Sequence, residues 1–267
     1  WHRHLTINHD QHVPSKGKNV TTSRAIVRNW RDADPYIGHD NAVVRAIFSP
    51  PKDGETAPHQ CLQHMSGFAR HDLQGGKDGD RHAHTNAEQY YYILSGEADV
   101  DIGDDTYPVR EGSVCYFPPE VEHQLRAADR TEWVEYLIIT CGTEGSGSKP
   151  YVTNWRQSTP GIGAHGYAAT WQILERFNEE EPVTPQPCLL SFYYLARQAV
   201  SRGRASDMHQ HDDKEQIYYV LEGEGSVVTG FDAHPLREGD TVYLPQGVPH
   251  MILNDRGDDW LSYLVVS

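Results

Sequence analysis

The sequence predicts an all-β protein built from two copies of one small barrel-like or sandwich-like unit. Three observations predict it. Short segments rich in β-branched and aromatic residues recur between Gly, Pro and Asp punctuation. The stretch HAHTNAEQYYYILSGE (82–97) returns as HQHDDKEQIYYVLEGE (209–224), an offset of 127 residues. The same offset carries Gly76 to Gly203, Gly112 to Gly239, Pro118 to Pro245 and His123 to His250, without insertion or deletion.

The elements follow in chain order. Residues 1–23 are polar and aperiodic, with neither a start Met nor an apolar leader, and read as an N-terminal arm. Residues 24–141 form the first unit, whose strands are read from AVVRAIF, YYYILSG, VCYFPP and WVEYLIIT. The polar, Gly/Ser-rich GTEGSGSKP (142–150) reads as a linker. Residues 151–267 form the second unit, with strands at LLSFYYLA, IYYVLEG, TVYLP and WLSYLVVS. The segment ATWQILERF (169–177) fits a short helix or a strand equally well.

Composition narrows the functional classes. The 267 residues carry 23 Lys and Arg against 38 Asp and Glu, a formal charge of −15, which argues against nucleic acid or an anionic membrane as partner. No apolar run is long enough for a membrane-spanning helix. Four Cys without CxxC spacing predict neither a disulfide framework nor a thiolate metal site, and make a reducing, cytoplasmic setting the expectation. The 16 His are the unusual feature.

On a strand, His82 and His84 share a face with Cα atoms roughly 6.8 Å apart, close enough to share one ion. Four polar residues suited to a turn follow, and Gln89 then opens a strand that a hairpin would set opposite His84. His123 arrives after a further strand closed at Pro118. Three imidazoles and one amide oxygen thus converge, and His209, His211, Gln216 and His250 repeat them. Such donors suit one divalent transition metal per unit (Fe, Mn, Ni, Co, Cu or Zn), with coordination positions left open for a small-molecule ligand. By strand alternation Tyr91 and Tyr218 point inward with the Gln residues, while Tyr90 and Tyr92 point out. Tyr91 and Tyr218 are candidate proton-transfer residues; they also read as barrel core with a hydrogen-bonded hydroxyl. Tyr116 and Tyr243 are secondary candidates. The clusters His59–Cys61–His64 and the acidic runs read as incidental or solvated.

The pattern Gly76-x5-His82-x-His84-x4-Gln89-x6-Gly96, then Gly112-x5-Pro118-x-Glu120-x2-His123, and its second copy from Gly203 to Asn254, resembles the cupins, and two copies resemble a bicupin. The motifs cover about 50 residues of each half. The resemblance implies two tandem jelly-roll (double-stranded β-helix) barrels with a metal in each mouth, and makes a homodimer the expectation. Two departures stand out. The usual Glu ligand is Gln in both units, with Glu88 and Glu215 one place earlier, so either Gln ligates or a one-residue slip brings Glu inward. The first unit also has Glu120 where Gly is usual and Ala127 where Asn is usual. Uncharged donors leave the ion near its full charge, which favours redox-neutral Lewis-acid work of isomerase or lyase type on a small oxygenated or carboxylated metabolite. The alternatives are an oxygen-dependent dioxygenase cleaving a ring or C–C bond, and a non-catalytic binding or storage bicupin.

Overall fold

In a computed structural model, residues 24–52, 54, 57–129, 131–178 and 186–267 are described. The arm read over 1–23 lies outside them, as does the acidic run 179–181. Two single-turn 3-10 helices, Trp30–Asp32 and Trp155–Gln157, interrupt what is otherwise strand and turn. The ambiguous segment is a strand, Ala168–Arg176, paired with Gly161–His165 on one side and Tyr194–Val200 on the other.

The first barrel faces a seven-stranded sheet against a three-stranded one. The large sheet runs Tyr151–Asn154, Ser113–Phe117, Ala87–Ser95, Val134–Gly142, Met65–Leu73, Ala42–Phe48, Tyr36–Gly38; the small one runs Asp105–Arg110, Glu97–Ile102, His123–Ala127. The second barrel repeats this with Asp240–Leu244, Gln216–Glu222, Leu261–Val266, Tyr194–Val200 and Ala168–Arg176 at the heart of its large sheet. Its small sheet is Asp232–Arg237, Glu224–Thr229, His250–Leu253. Among the described residues the strand pairings are antiparallel apart from the short contact of Ala168–Arg176 with Pro187–Leu189, as in a jelly roll.

The large sheets are apolar on both faces because both faces are covered. In Ala87–Ser95, Tyr91 and Ile93 enter the core of the first barrel, while Tyr90 and Tyr92 enter a separate core between the barrels. Ile217, Tyr219 and Tyr243 fill that shared core from the second unit, and Tyr218 and Val220 its own barrel. The uninterrupted apolar runs of the sequence are therefore two interleaved period-two patterns serving two cores.

Two strands cross the division read from the sequence. Ile26–Asn29, from the start of the first unit, pairs with Asp240–Leu244 of the second barrel. Tyr151–Asn154, from the start of the second, pairs with Ser113–Phe117 of the first. Each exchanged strand ends in an Asn that caps the following 3-10 turn and reaches across to the receiving barrel: Asn29 Nδ2 donates to Asp240 Oδ1 at 2.7 Å and Asn154 Nδ2 to the Glu111 carbonyl at 3.0 Å.

Candidate metal centres in the two barrel mouths

Each His-x-His strand is drawn into its barrel by a two-way backbone bridge. His82 N–H donates to the His123 carbonyl at 3.1 Å, and His123 N–H to the His82 carbonyl at 2.9 Å. His209 and His250 repeat the pair at 3.1 and 2.8 Å. The turn before the third His uses a left-handed residue whose N–H donates to the second His: Gly247 (φ 72°) to His211, and Glu120 (φ 66°) to His84. Glu120 therefore carries a backbone conformation that glycine adopts more readily. Asn254 ties its loop to the Val200 and Asp259 carbonyls at 2.8 and 2.7 Å, bonds that Ala127 cannot make in the first barrel.

The six predicted imidazoles gather as two triplets. Within each, one ring nitrogen from every His lies within 4.8 Å of the other two. The ring tautomer is set from behind: Nδ1 of His82, His123, His209 and His250 faces the carbonyl of Asp80, Val121, Asp207 and Val248 respectively, at 3.3, 3.0, 3.2 and 2.8 Å. That leaves Nε2 as a lone pair aimed into the cup. Nε2 of His82, His84, His211 and His250 is buried without a hydrogen-bond partner. Burial also drives the imidazoles toward the neutral form. His123 is pushed down to about 3, and His211 and His250 to about 4; for all three burial is the leading cause.

The register places Gln, not Glu, beside the histidines. Gln89 donates through Nε2 to Thr140 Oγ1 at 2.9 Å, so its Oε1 faces His123 Nε2 at 3.3 Å. With the His123 proton on Nδ1, two lone-pair atoms confront each other, an arrangement that a cation between them relieves. The residues of the first barrel thus fit a metal: three imidazole nitrogens and an amide oxygen converge, and no other described residue bonds to their lone pairs. In the second barrel Gln216 Nε2 donates to the Tyr194 hydroxyl at 2.6 Å, and Oε1 accepts from Tyr218 at 3.2 Å. Glu88 and Glu215 point the other way, into the contact between barrels, as described below.

Tyr91 and Tyr218 line the cups. The Tyr91 ring lies 5.8 Å from His123 and 5.3 Å from Tyr136; the Tyr218 ring lies 5.7 Å from His250 and 5.4 Å from Tyr263. Burial, aided by the neighbouring Tyr136 and Tyr263, raises both hydroxyls well above the usual phenol range. Tyr116 and Tyr243 do not line the cups: they face the shared core and donate to Glu88 and Glu215 at 2.8 and 2.9 Å.

Sequence reasoning missed an outer group repeated in both halves. His39 Nδ1 lies 2.8 Å from Asp80 Oδ1, whose other oxygen is 3.5 Å from His82 Nδ1. His165, Asp207 and His209 repeat it at 3.5 and 3.6 Å. Asp80 and Asp207 stand in the 127-residue register, but His39 and His165 are one place out of it, which hid them. His71, a further buried ring 5.1 Å from His39, has an unpartnered Nδ1 and is pushed down to about 3 by burial, then by His39. Gln198 takes its place in the second barrel and accepts from Tyr263 at 2.9 Å.

Fold and site together define a bicupin. A family model described as Cupin domain matches twice, over residues 69–140 and 196–267, and the chain belongs to that family. Among curated relatives, an oxalate-binding protein of Thermotoga maritima is 32% identical over 72 residues, covering 27% of this chain and 59% of the relative. An uncharacterized protein of Methanocaldococcus jannaschii is 38% identical over 60 residues, 22% of this chain and 48% of the relative. The chain spans about half the length of the curated relatives it matches. Among solved structures, a glyoxylate-induced protein of Pseudomonas aeruginosa superposes with a TM-score of 0.74 at 15% identity, covering 97% of this chain and 93% of that one. The oxalate decarboxylase of Lactobacillus farciminis, in its formate complex, gives 0.67 at 15% identity over 95% and 87%. At these identities the likeness is one of fold.

Proposed function

We propose that this bicupin is a metal-dependent enzyme acting on a small oxygenated or carboxylated metabolite by proton transfer, of isomerase or lyase type. The observation that carries the reading is the convergence, in each cup, of imidazoles whose buried Nε2 atoms, on His82 and His84 and on His211 and His250, find no hydrogen-bond partner among the described residues. His82, His84, Gln89 and His123 would hold one ion, and His209, His211, Gln216 and His250 a second. A divalent transition metal held by four uncharged donors supplies Lewis acidity toward a bound carbonyl or carboxylate oxygen. The relative named for oxalate binding supports an oxyacid ligand.

The chain's own groups supply the rest. The backbone carbonyls behind His82 and His123 keep each ring in the tautomer that presents Nε2. Asp80 steadies His82 from behind and ties it to His39. Tyr91 and Tyr218 are the proposed proton-transfer groups. Each is a phenol that carries its proton, so each would act first as an acid, giving that proton to a substrate oxygen beside the imidazoles, Tyr218 in exchange for its bond to Gln216.

Elemental analysis of the full chain beside His82→Ala and His209→Ala tests the reading. Two metal ions per chain are expected in the parent and one in each variant. A parent protein that takes up no stoichiometric metal after incubation with Mn, Fe, Co, Ni, Cu and Zn salts overturns it.

A further inference from the structure

The two cups share their donors, so their differences at equivalent positions show what each can admit. The strand Met65–Leu73 corresponds to the strand beginning at Tyr194, in the same 127-residue register that relates the two family matches. Gly67 falls on Tyr194. In the second barrel Tyr194 packs against the barrel core, and its hydroxyl accepts from the Gln216 amide at 2.6 Å. A phenol ring is thus built into the second cup with its oxygen on the proposed ligand residue. In the first barrel a Cβ added at Gly67 would meet no heavy atom within 4 Å. Gly67 pairs directly with Thr140, and Thr140 with Gln89, so this open space lies in the row of the Gln that faces His123.

The hydrogen bonds divide the same way. The Gln216 amide is engaged on both atoms by tyrosines of its own barrel, Tyr194 and Tyr218, and Tyr263 is engaged by Gln198. In the first barrel Gln89 bonds to Thr140, and no tyrosine among the described contacts bonds to its amide. His71, beside His39 and Tyr136, keeps a buried nitrogen with no partner among the described residues where Gln198 is satisfied.

We infer that the first barrel is the one that receives substrate, and that its ligand carries a six-membered ring bearing oxygen, lodged where Tyr194 lies in the second barrel. Tyr194 stands as a tethered copy of such a ligand at that place in the second cup, leaving that cup a structural role. The inference rests on the metal reading above and narrows it to one cup and one substrate class. A ring the size of phenol fits only where no phenol already stands, and its oxygen meets the histidine-facing amide from the same side.

The test uses the full chain loaded with cobalt(II), with benzohydroxamate as the ring-bearing bidentate probe and acetohydroxamate as the ringless one. Cobalt content is measured first, and the visible absorption of cobalt reports binding. One benzohydroxamate per chain is expected in the parent protein, and two in Tyr194→Gly. Gly67→Tyr is expected to lose at least tenfold in benzohydroxamate affinity while retaining two cobalt ions; Gly67→Leu, which fills the space without a hydroxyl, should do the same. Acetohydroxamate should discriminate less between the cups. Two benzohydroxamates per chain in the parent, or unchanged affinity in both Gly67 variants, overturns the inference while leaving the metal reading intact. A parent chain without cobalt overturns both.

Discussion

Glu88 and Glu215 stand one place before the glutamines that face the histidines, and that single place decides what they do. Each carboxylate is almost fully buried, at 0% and 2% exposed. Glu88 accepts from the backbone N–H groups of Leu190, Ser191 and Phe192 at 2.7, 2.6 and 2.8 Å. Glu215 accepts from those of Gln63, His64 and Met65 at 2.8, 2.9 and 2.7 Å. A tyrosine hydroxyl adds a fourth bond to each. A buried charge with this many charge-assisted bonds is well compensated, but its removal strands four donors. Glu88→Ala or Glu215→Ala should therefore cost at least about 3 kcal/mol in urea unfolding. Metal content should stay at two ions per chain in the variant that remains folded. Loss of one ion without loss of stability would assign the ligand role to Glu and reject this account. The sequence presents Glu and Gln as rivals for one position; the structure turns the two side chains to opposite sides, the carboxylates toward the other barrel and the amides toward the histidines.

Elements show where the sequence was readable and where it was not. The donor quartets were legible because duplication repeated them in an identical register, and the strands because aromatic and β-branched runs were punctuated by Gly and Pro. The exchange of Ile26–Asn29 and Tyr151–Asn154 was not legible, since a four-residue strand carries no mark of which sheet will take it. Its traces are nonetheless local. Gly239 (φ +81°) lies beneath Trp30, and Gly112 (φ +79°) beneath Trp155; a Cβ at either would come within 2.5 Å of the indole. Arg70 and Arg197 lie over the rings of the two indoles, at 3.8 and 4.2 Å from the ring centroids. The glycines in the family motif are therefore docking points for the neighbouring unit's tryptophan as well as turns. Gly112→Ala and Gly239→Ala combine a left-handed backbone with a direct clash, and each should cost about 2 kcal/mol or more by chemical unfolding. The companion variants Trp155→Ala and Trp30→Ala relieve the clash, so each double variant should cost less than the sum of its singles. Strict additivity would deny the contact. The pairing of His39 with Asp80 escaped notice for a different reason: His39 belongs to a tight turn at φ 47°, one residue out of register with His165, and contact through a turn leaves no periodic signal.

At the scale of the whole molecule the two barrels are not beads on a string. Among the described residues the largest core belongs to neither: Phe48, Phe68, Tyr90, Tyr92 and Tyr116 from one unit meet Phe192, Leu195, Ile217, Tyr219 and Tyr243 from the other. Each unit gives a strand to its partner, and each supplies the backbone donors that satisfy the other's buried glutamate. A barrel cut free would expose a broad apolar sheet face, lose one edge strand and leave a carboxylate buried without its donors, three losses that fall on the same surface. Coupling of this kind makes the pair one cooperative unit even though the chain reads as two repeats. It also explains how a cup whose ligand place is taken by Tyr194 can still be kept, because its barrel is half the scaffold of the other. Unfolding of the metal-free full chain in urea should follow a single transition, coincident by far-ultraviolet circular dichroism and tryptophan fluorescence. A fragment of residues 24–141 alone should show no cooperative transition. Glu88→Ala should lower the midpoint for both probes together, although it alters one barrel. Two resolved transitions in the full chain, or a fragment that melts as sharply as its parent, would mean that each cup is held by its own barrel alone, and would remove the structural reason for retaining the second.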